Sequence, residues 1–150
     1  VSKKEPKQNI LEFAITREQK AHEFYQNLAR QTDHPLKRML FERFAREELS
    51  HMETLQSHLS GSRELAAVES AAPLLAEDSA REIAPQIKAQ LRNMIANAMQ
   101  KEKNSFRLYM DMAMKVKDET VRDTLMALAK DEANHQAFLE MEFDRLSEAT

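Results

Sequence analysis

Six residues in this chain could do chemistry together: Glu18, Glu48, His51, Glu102, Glu132 and His135. Glutamate and histidine three apart on a helix share one face. Glu48 with His51, and Glu132 with His135, could therefore each reach one metal ion. Glu18 and Glu102 add carboxylates that could bridge or chelate. Mixed carboxylate and imidazole ligands suit iron or manganese and admit zinc. A lone Glu-x-x-His in a charged helix is usually solvated surface, so either pair taken singly establishes little.

Their setting gives them weight. Each lies inside a stripe of apolar residues that recurs in steps of three and four, the spacing of one helix face. The stripes are Leu11, Ala14, Glu18, Ala21, Tyr25, Leu28; then Phe41, Phe44, Glu48, His51, Leu55; then Leu91, Ile95, Ala98, Glu102, Ser105, Tyr109, Met112; then Leu125, Leu128, Glu132, His135, Leu139. All four are apolar at the ends and acidic in the middle. Glu18 and Glu102 are 84 residues apart, and the same shift carries Tyr25 onto Tyr109, Ala45 onto Ala129, Glu48 onto Glu132, His51 onto His135 and Leu55 onto Leu139. One ungapped offset implies two copies of one helical hairpin related by an approximate two-fold. It also separates Glu48, which repeats as Glu132, from Glu47, which repeats as Asp131.

Levels agree as well. Glu18 and Glu48 lie 15 residues either side of Asp33, and Glu102 and Glu132 lie 15 either side of Lys117. Hairpins folded there bring each pair side by side, roughly 22 Å from the turn at 1.5 Å per residue. Four carboxylates at one level of an apolar core resist ionisation through burial and mutual repulsion. Two divalent cations would balance them. Tyr25 and Tyr109, two turns from their glutamates, are either plain core or hydroxyls that bond a carboxylate, and the second reading is favoured. His22, His34 and His58 have no repeat partners and read as surface residues. Met94, Met99, Met110, Met112 and Met114 read as core filling.

The elements that position these residues follow from punctuation and composition. Good helix formers dominate, with one Gly and four Pro in 150 residues. The pattern predicts an all-α single domain with helices over about 6–31, 34–60, 86–116 and 119–147, and a long crossover at 61–85 with a short helix after Asp78. Asp33 and Asp118 are candidate N-caps, Pro35 and Pro85 suit first turns, and Gly61 suits a helix C-terminus. With no cysteine, disulfides, thiolate metal sites and a cysteine nucleophile are excluded. A net charge of −3 offers no large basic footprint for nucleic acid or an anionic membrane surface. No apolar run approaches the ~20 residues of a membrane span, and no signal peptide is visible, so a cytoplasmic location is expected.

A lone Glu on the first and third helices, with Glu-x-x-His on the second and fourth, resembles the ferritin-like di-iron carboxylate proteins. Within that class, "EQKAHEFYQNLA" (18–29), "FAREELSHMETL" (44–55) and "LAKDEANHQAFL" (128–139) are similar to the helix motifs of rubrerythrins. The resemblance covers nearly the whole chain. It implies a ferritin-like four-helix bundle holding two metal ions, iron before manganese or zinc, with Glu18, Glu48, His51, Glu102, Glu132 and His135 as ligands. "DExxH" at 131–135 resembles a pattern in which the acid before the ligand orients a histidine across the bundle. By that likeness Asp131 supports His51 and Glu47 supports His135.

Two departures matter. Rubrerythrins usually carry a four-cysteine, rubredoxin-like module, and this chain has no cysteine, so electrons would come from an external donor or from ferrous iron. Rubrerythrins also carry an extra ligand glutamate one turn after the third-helix Glu, where this chain has Ser105. The ligand set is then closer to that of bacterioferritins. The expected function is reduction of peroxide or dioxygen, with iron oxidation for storage or delivery as the alternative, and a non-enzymatic bundle with a structural metal as a second alternative. A homodimer is the expected assembly.

Overall fold

A computed structural model describes residues 6–61 and 83–148. Its elements are α1 (Pro6–Gln31), α2 (Pro35–Ser60), α3 (Pro85–Lys115) and α4 (Glu119–Glu148). Among the described residues there is no strand. Short links at 32–34 and 116–118 fold α1 on α2 and α3 on α4 as antiparallel hairpins; backbones approach closely within each hairpin, and the two hairpins meet through side chains.

Local chemistry sets the ends. Gly61 stops α2 at φ 81°, a left-handed conformation that only glycine enters freely, and its N–H donates to the His58 carbonyl. Asp118 accepts from the Val121 N–H at 3.1 Å and caps α4. Pro35 and Pro85 open their helices, where a missing N–H costs nothing. One expectation is corrected. The cap of α2 is His34, whose Nδ1 accepts from the Lys37 N–H, and not Asp33. A residue before proline is forced into extended backbone, which is the N-cap conformation; ahead of Pro35 that residue is His34, at φ −77°, ψ 114°. The crossover, and the short helix expected after Asp78, fall almost wholly outside the described residues.

The apolar core is in two parts. One gathers Tyr25, Phe41, Phe44, Leu91, Ile95 and Leu139; the other gathers Leu11, Leu55, Tyr109, Leu125 and Leu128. Fully burying such a side chain contributes roughly 1.5–3 kcal/mol. Of the four sequence stripes only Ala21 and Ser105 are not fully buried, and they are repeat partners. Met112 is buried and Met94, Met99 and Met110 are partly so, but Met114 is 85% exposed and fills no core.

Polar groups also enter the core away from the six. Lys37, at the start of α2, forms a buried ion pair with Glu142 near the end of α4, and Arg145 lies 3.3 Å from the same carboxylate. Here the repeat fails: the shifted counterparts are Val121 and His58. His58 is partly buried and hydrogen-bonds Thr124 at 2.8 Å, while His22 Nδ1 lies 2.7 Å from the Ala45 carbonyl. The three unrepeated histidines therefore have structural partners and are not simply surface groups.

Candidate metal centre

Each helix contributes at mid-length because each stripe places its acid there. Glu18, Glu48, His51, Glu102, Glu132 and His135 are all buried, the most exposed being His135 at 8%. They form two overlapping groups: Glu18, Glu48, His51 and Glu132, and Glu48, Glu102, Glu132 and His135. Within each group the candidate ligand atoms lie within 4.8 Å of one another. Glu48 and Glu132 belong to both. The shared carboxylates are thus those of the two Glu-x-x-His motifs, and the lone Glu18 and Glu102 sit at the two outer ends.

The two-fold inferred from the sequence operates in space. Tyr25 of α1 donates to Glu102 of α3, and Tyr109 of α3 donates to Glu18 of α1. His51 Nε2 of α2 lies 3.2 Å from Asp131 of α4, and His135 Nε2 of α4 lies 2.5 Å from Glu47 of α2. Each contact joins one hairpin to the other. With Nε2 occupied, each imidazole turns Nδ1 toward the carboxylates. His51 Nδ1 lies 3.0 Å from Glu132, 3.3 Å from Glu48 and 3.6 Å from Glu18; His135 Nδ1 lies 3.4 Å from Glu102 and 3.7 Å from Glu48. Phe44 stacks on the His135 ring at 4.3 Å. Arg43, 3.6 Å from Glu47, is a supporting residue that no repeat or motif signals.

Seven atoms of the six side chains are buried without a hydrogen-bond partner: Glu18 Oε2, Glu48 Oε1, His51 Nδ1, Glu102 Oε2, both oxygens of Glu132, and His135 Nδ1. Buried polar groups are almost always satisfied, and leaving one unmade costs about 1–3 kcal/mol. Seven at one level fit a pair of cations that accepts their lone pairs. Protons show the same tension. Burial, then Glu18 and Glu102, raises the Glu48 carboxyl to about 7. Burial, then the other carboxylates, pushes Glu132 well above its ordinary range. Burial works against a charged imidazole, yet Glu102 and the groups around it outweigh this and raise His135 to about 10; Glu18 and Asp131 likewise raise His51. Burial opposes ionisation of Glu102 too, but His135 holds its pKa down. Without metal the site keeps protons where ligands need lone pairs.

A cavity of about 240 Å³ between α1 and α3 reaches the cluster. Buried Tyr25, Glu48 and Glu102 form its floor, half-buried Ala21 and Ser105 its walls. Exposed Arg17, Lys20, Lys101 and Asn104 surround the mouth. A larger groove of about 510 Å³, lined by α1 and α2 residues from His22 to Arg46, touches none of the six. The smaller cavity is the relevant one because it alone of the two ends on candidate ligands. No described helix is long and apolar enough to cross a membrane.

The rubrerythrin family model matches residues 9–143, a span that holds all six residues and their supporting groups. No match is found among curated proteins or among solved structures. Members of this family are ferritin-like di-iron domains, which implies a di-metal site, and the buried layer of carboxylate and imidazole is a cluster that could hold one. By that match over most of its length, the chain belongs to the rubrerythrin family.

Proposed function

We propose that this protein is a binuclear iron protein of rubrerythrin type that reduces peroxide or dioxygen, with electrons from iron or from an external donor. The observation that carries the reading is the set of seven buried, unpartnered ligand atoms in two overlapping groups. Glu18, Glu48, His51 and Glu132 would hold one ion, and Glu48, Glu102, Glu132 and His135 the other. A metal pair, when bound, would supply two electrons together, the number that cleaves the O–O bond of peroxide or takes dioxygen to peroxide. The remaining residues orient and shield. Tyr25 and Tyr109 fix Glu102 and Glu18 through their hydroxyls, and Asp131 and Glu47 fix the two imidazoles so that Nδ1 faces inward. The apolar clusters on either side keep bulk water out. The small walls Ala21 and Ser105 leave room for a two-atom oxidant.

A second reading, ferrous oxidation for storage or delivery, draws on Ser105. It stands on the cavity wall where rubrerythrins place a further carboxylate, so one metal lacks that alternative ligand. Stopped-flow absorbance on anaerobic, iron-loaded protein tests the proposal. Comparable oxidation rates with peroxide and dioxygen are expected, and Ser105→Glu should shift the preference toward peroxide. A large peroxide preference in the unaltered protein would remove the role given to Ser105, and oxidation by neither would leave a structural metal. Solution mass separates the readings further, since the redox reading carries a homodimer and storage a many-subunit cage.

A further inference from the structure

We infer that the cavity between α1 and α3 is an anion-selective entrance, through which small anions reach the metal pair and hydrated cations are turned away. Three observations carry it. First, Arg17, Lys20 and Lys101 stand at its mouth, and among the described residues none of them is in an ion pair. Second, Lys101 is held in place: its ammonium sits 4.4 Å from the centre of the Phe24 ring, a cation–π contact. Third, the mouth obeys the two-fold. Arg17 and Lys101 are repeat partners, as are Ala21 and Ser105 on the walls. Both hairpins therefore send a cation to one opening, and both keep a small residue beside it.

Glu48 and Glu102 lie buried at the floor, whereas Arg17, Lys20 and Lys101 are exposed at the mouth, so an entering solute meets the cations first. One sign of charge at a mouth between low-dielectric walls raises the local concentration of the opposite sign there by about 10–10³. The ligand class is a small monoanion; a neutral molecule of similar size passes without being concentrated. For its consequence, though not for its test, this inference rests on the proposed metal pair: it favours oxidant chemistry at the site over rapid passage of ferrous ions.

The absence of cysteine makes the entrance directly measurable. Ser105→Cys places a single thiol on the cavity wall of the metal-free protein. Its rates of modification by an anionic and a cationic methanethiosulfonate reagent are compared with those of a free small-molecule thiol. Nearby cations also favour the thiolate, but that affects both reagents equally and leaves the ratio untouched. The anion-to-cation ratio should exceed that of the free thiol by about tenfold and fall toward it at ~1 M salt. Arg17→Glu with Lys101→Glu should invert it, and Ala21→Cys should repeat the result from the opposite wall. A ratio equal to that of the free thiol, or one unmoved by charge reversal, overturns the inference. Cobalt(II) binding by the unsubstituted protein refolded in its presence, where entry is not limiting, is measured in parallel. Failure to bind cobalt then overturns the metal reading, while the thiol ratio still decides the entrance.

Discussion

At the scale of residues, the six candidate ligands that the structure brings together were legible because one offset superimposes them on the chain. Their division of labour was not. Which glutamates are shared depends on how far each side chain reaches across the bundle, and a heptad pattern carries no such distance. The overlap of the two groups gives a stoichiometric expectation. Glu48→Ala and Glu132→Ala, which touch both groups, should each abolish binding of both ions. Glu18→Ala and Glu102→Ala should each leave one ion bound, as elemental analysis of dialysed protein can show. Retention of two ions by either shared-residue variant would contradict the arrangement.

Protons give a second expectation. Stability from His135 is present in the metal-free protein below its ordinary pKa and is lost as pH rises toward 10. The raised Glu48 acts in the same direction, since a carboxyl that stays protonated when folded loses stability from about 4.5 upward through about 7. Metal-free protein should therefore melt at progressively lower temperature from about pH 5 to pH 10. Metal binding requires the same groups deprotonated, so the stabilisation by iron, manganese or zinc should shrink in acid and protons should be released on binding. Calorimetry in buffers of different ionisation enthalpy counts them, and a buffer-independent heat would be inconsistent with the site.

At the scale of elements, four helices were readable from periodicity and from proline and glycine. The cap at His34 was missed because Asp33 has the better side chain and Pro35 has the stronger backbone demand. The pairing between hairpins was only partly readable: Tyr25 and Tyr109 were open between core filling and carboxylate contact. Their hydroxyls turn out to reach the lone glutamate of the opposite hairpin, a partner 77 or 91 residues away. The mouth of the cavity was not legible, although Arg17 and Lys101 obey the same offset as the candidate ligands. The hairpins meet through side chains, so these hydroxyl bonds matter to docking. Tyr25→Phe leaves a buried carboxylate oxygen of Glu102 without its donor, at a cost of about 1–3 kcal/mol in the metal-free protein. Denaturant titration should show that loss, and added metal should recover most of it.

At the scale of the whole molecule, two apolar clusters sandwich a polar layer, and a buried ion pair stands apart from that layer. No pattern announces Lys37 or Glu142; each looks like a charge on a solvated face until the bundle closes. Removing one partner of a buried pair costs about 3–5 kcal/mol, whereas replacing both with apolar groups of similar volume is often neutral or stabilising. Lys37→Met should therefore destabilise strongly, with Arg145 at 3.3 Å softening the loss. Lys37→Met with Glu142→Met should restore stability. Thermal melts of the single and double variants decide, and a double variant as weak as the single would show that the charges themselves hold the fold.

That pair has a consequence for how a tandem repeat avoids mistaking itself. Either half of this chain could dock on its own twin from a neighbouring chain, since either half carries one lone glutamate and one Glu-x-x-His pair. The ion pair forms only when unlike halves meet. Two carboxy-terminal halves would set Glu142 against Val121, and two amino-terminal halves would set Lys37 against His58. Each wrong pairing strands a buried charge, so this break in the symmetry is also what keeps like from pairing with like.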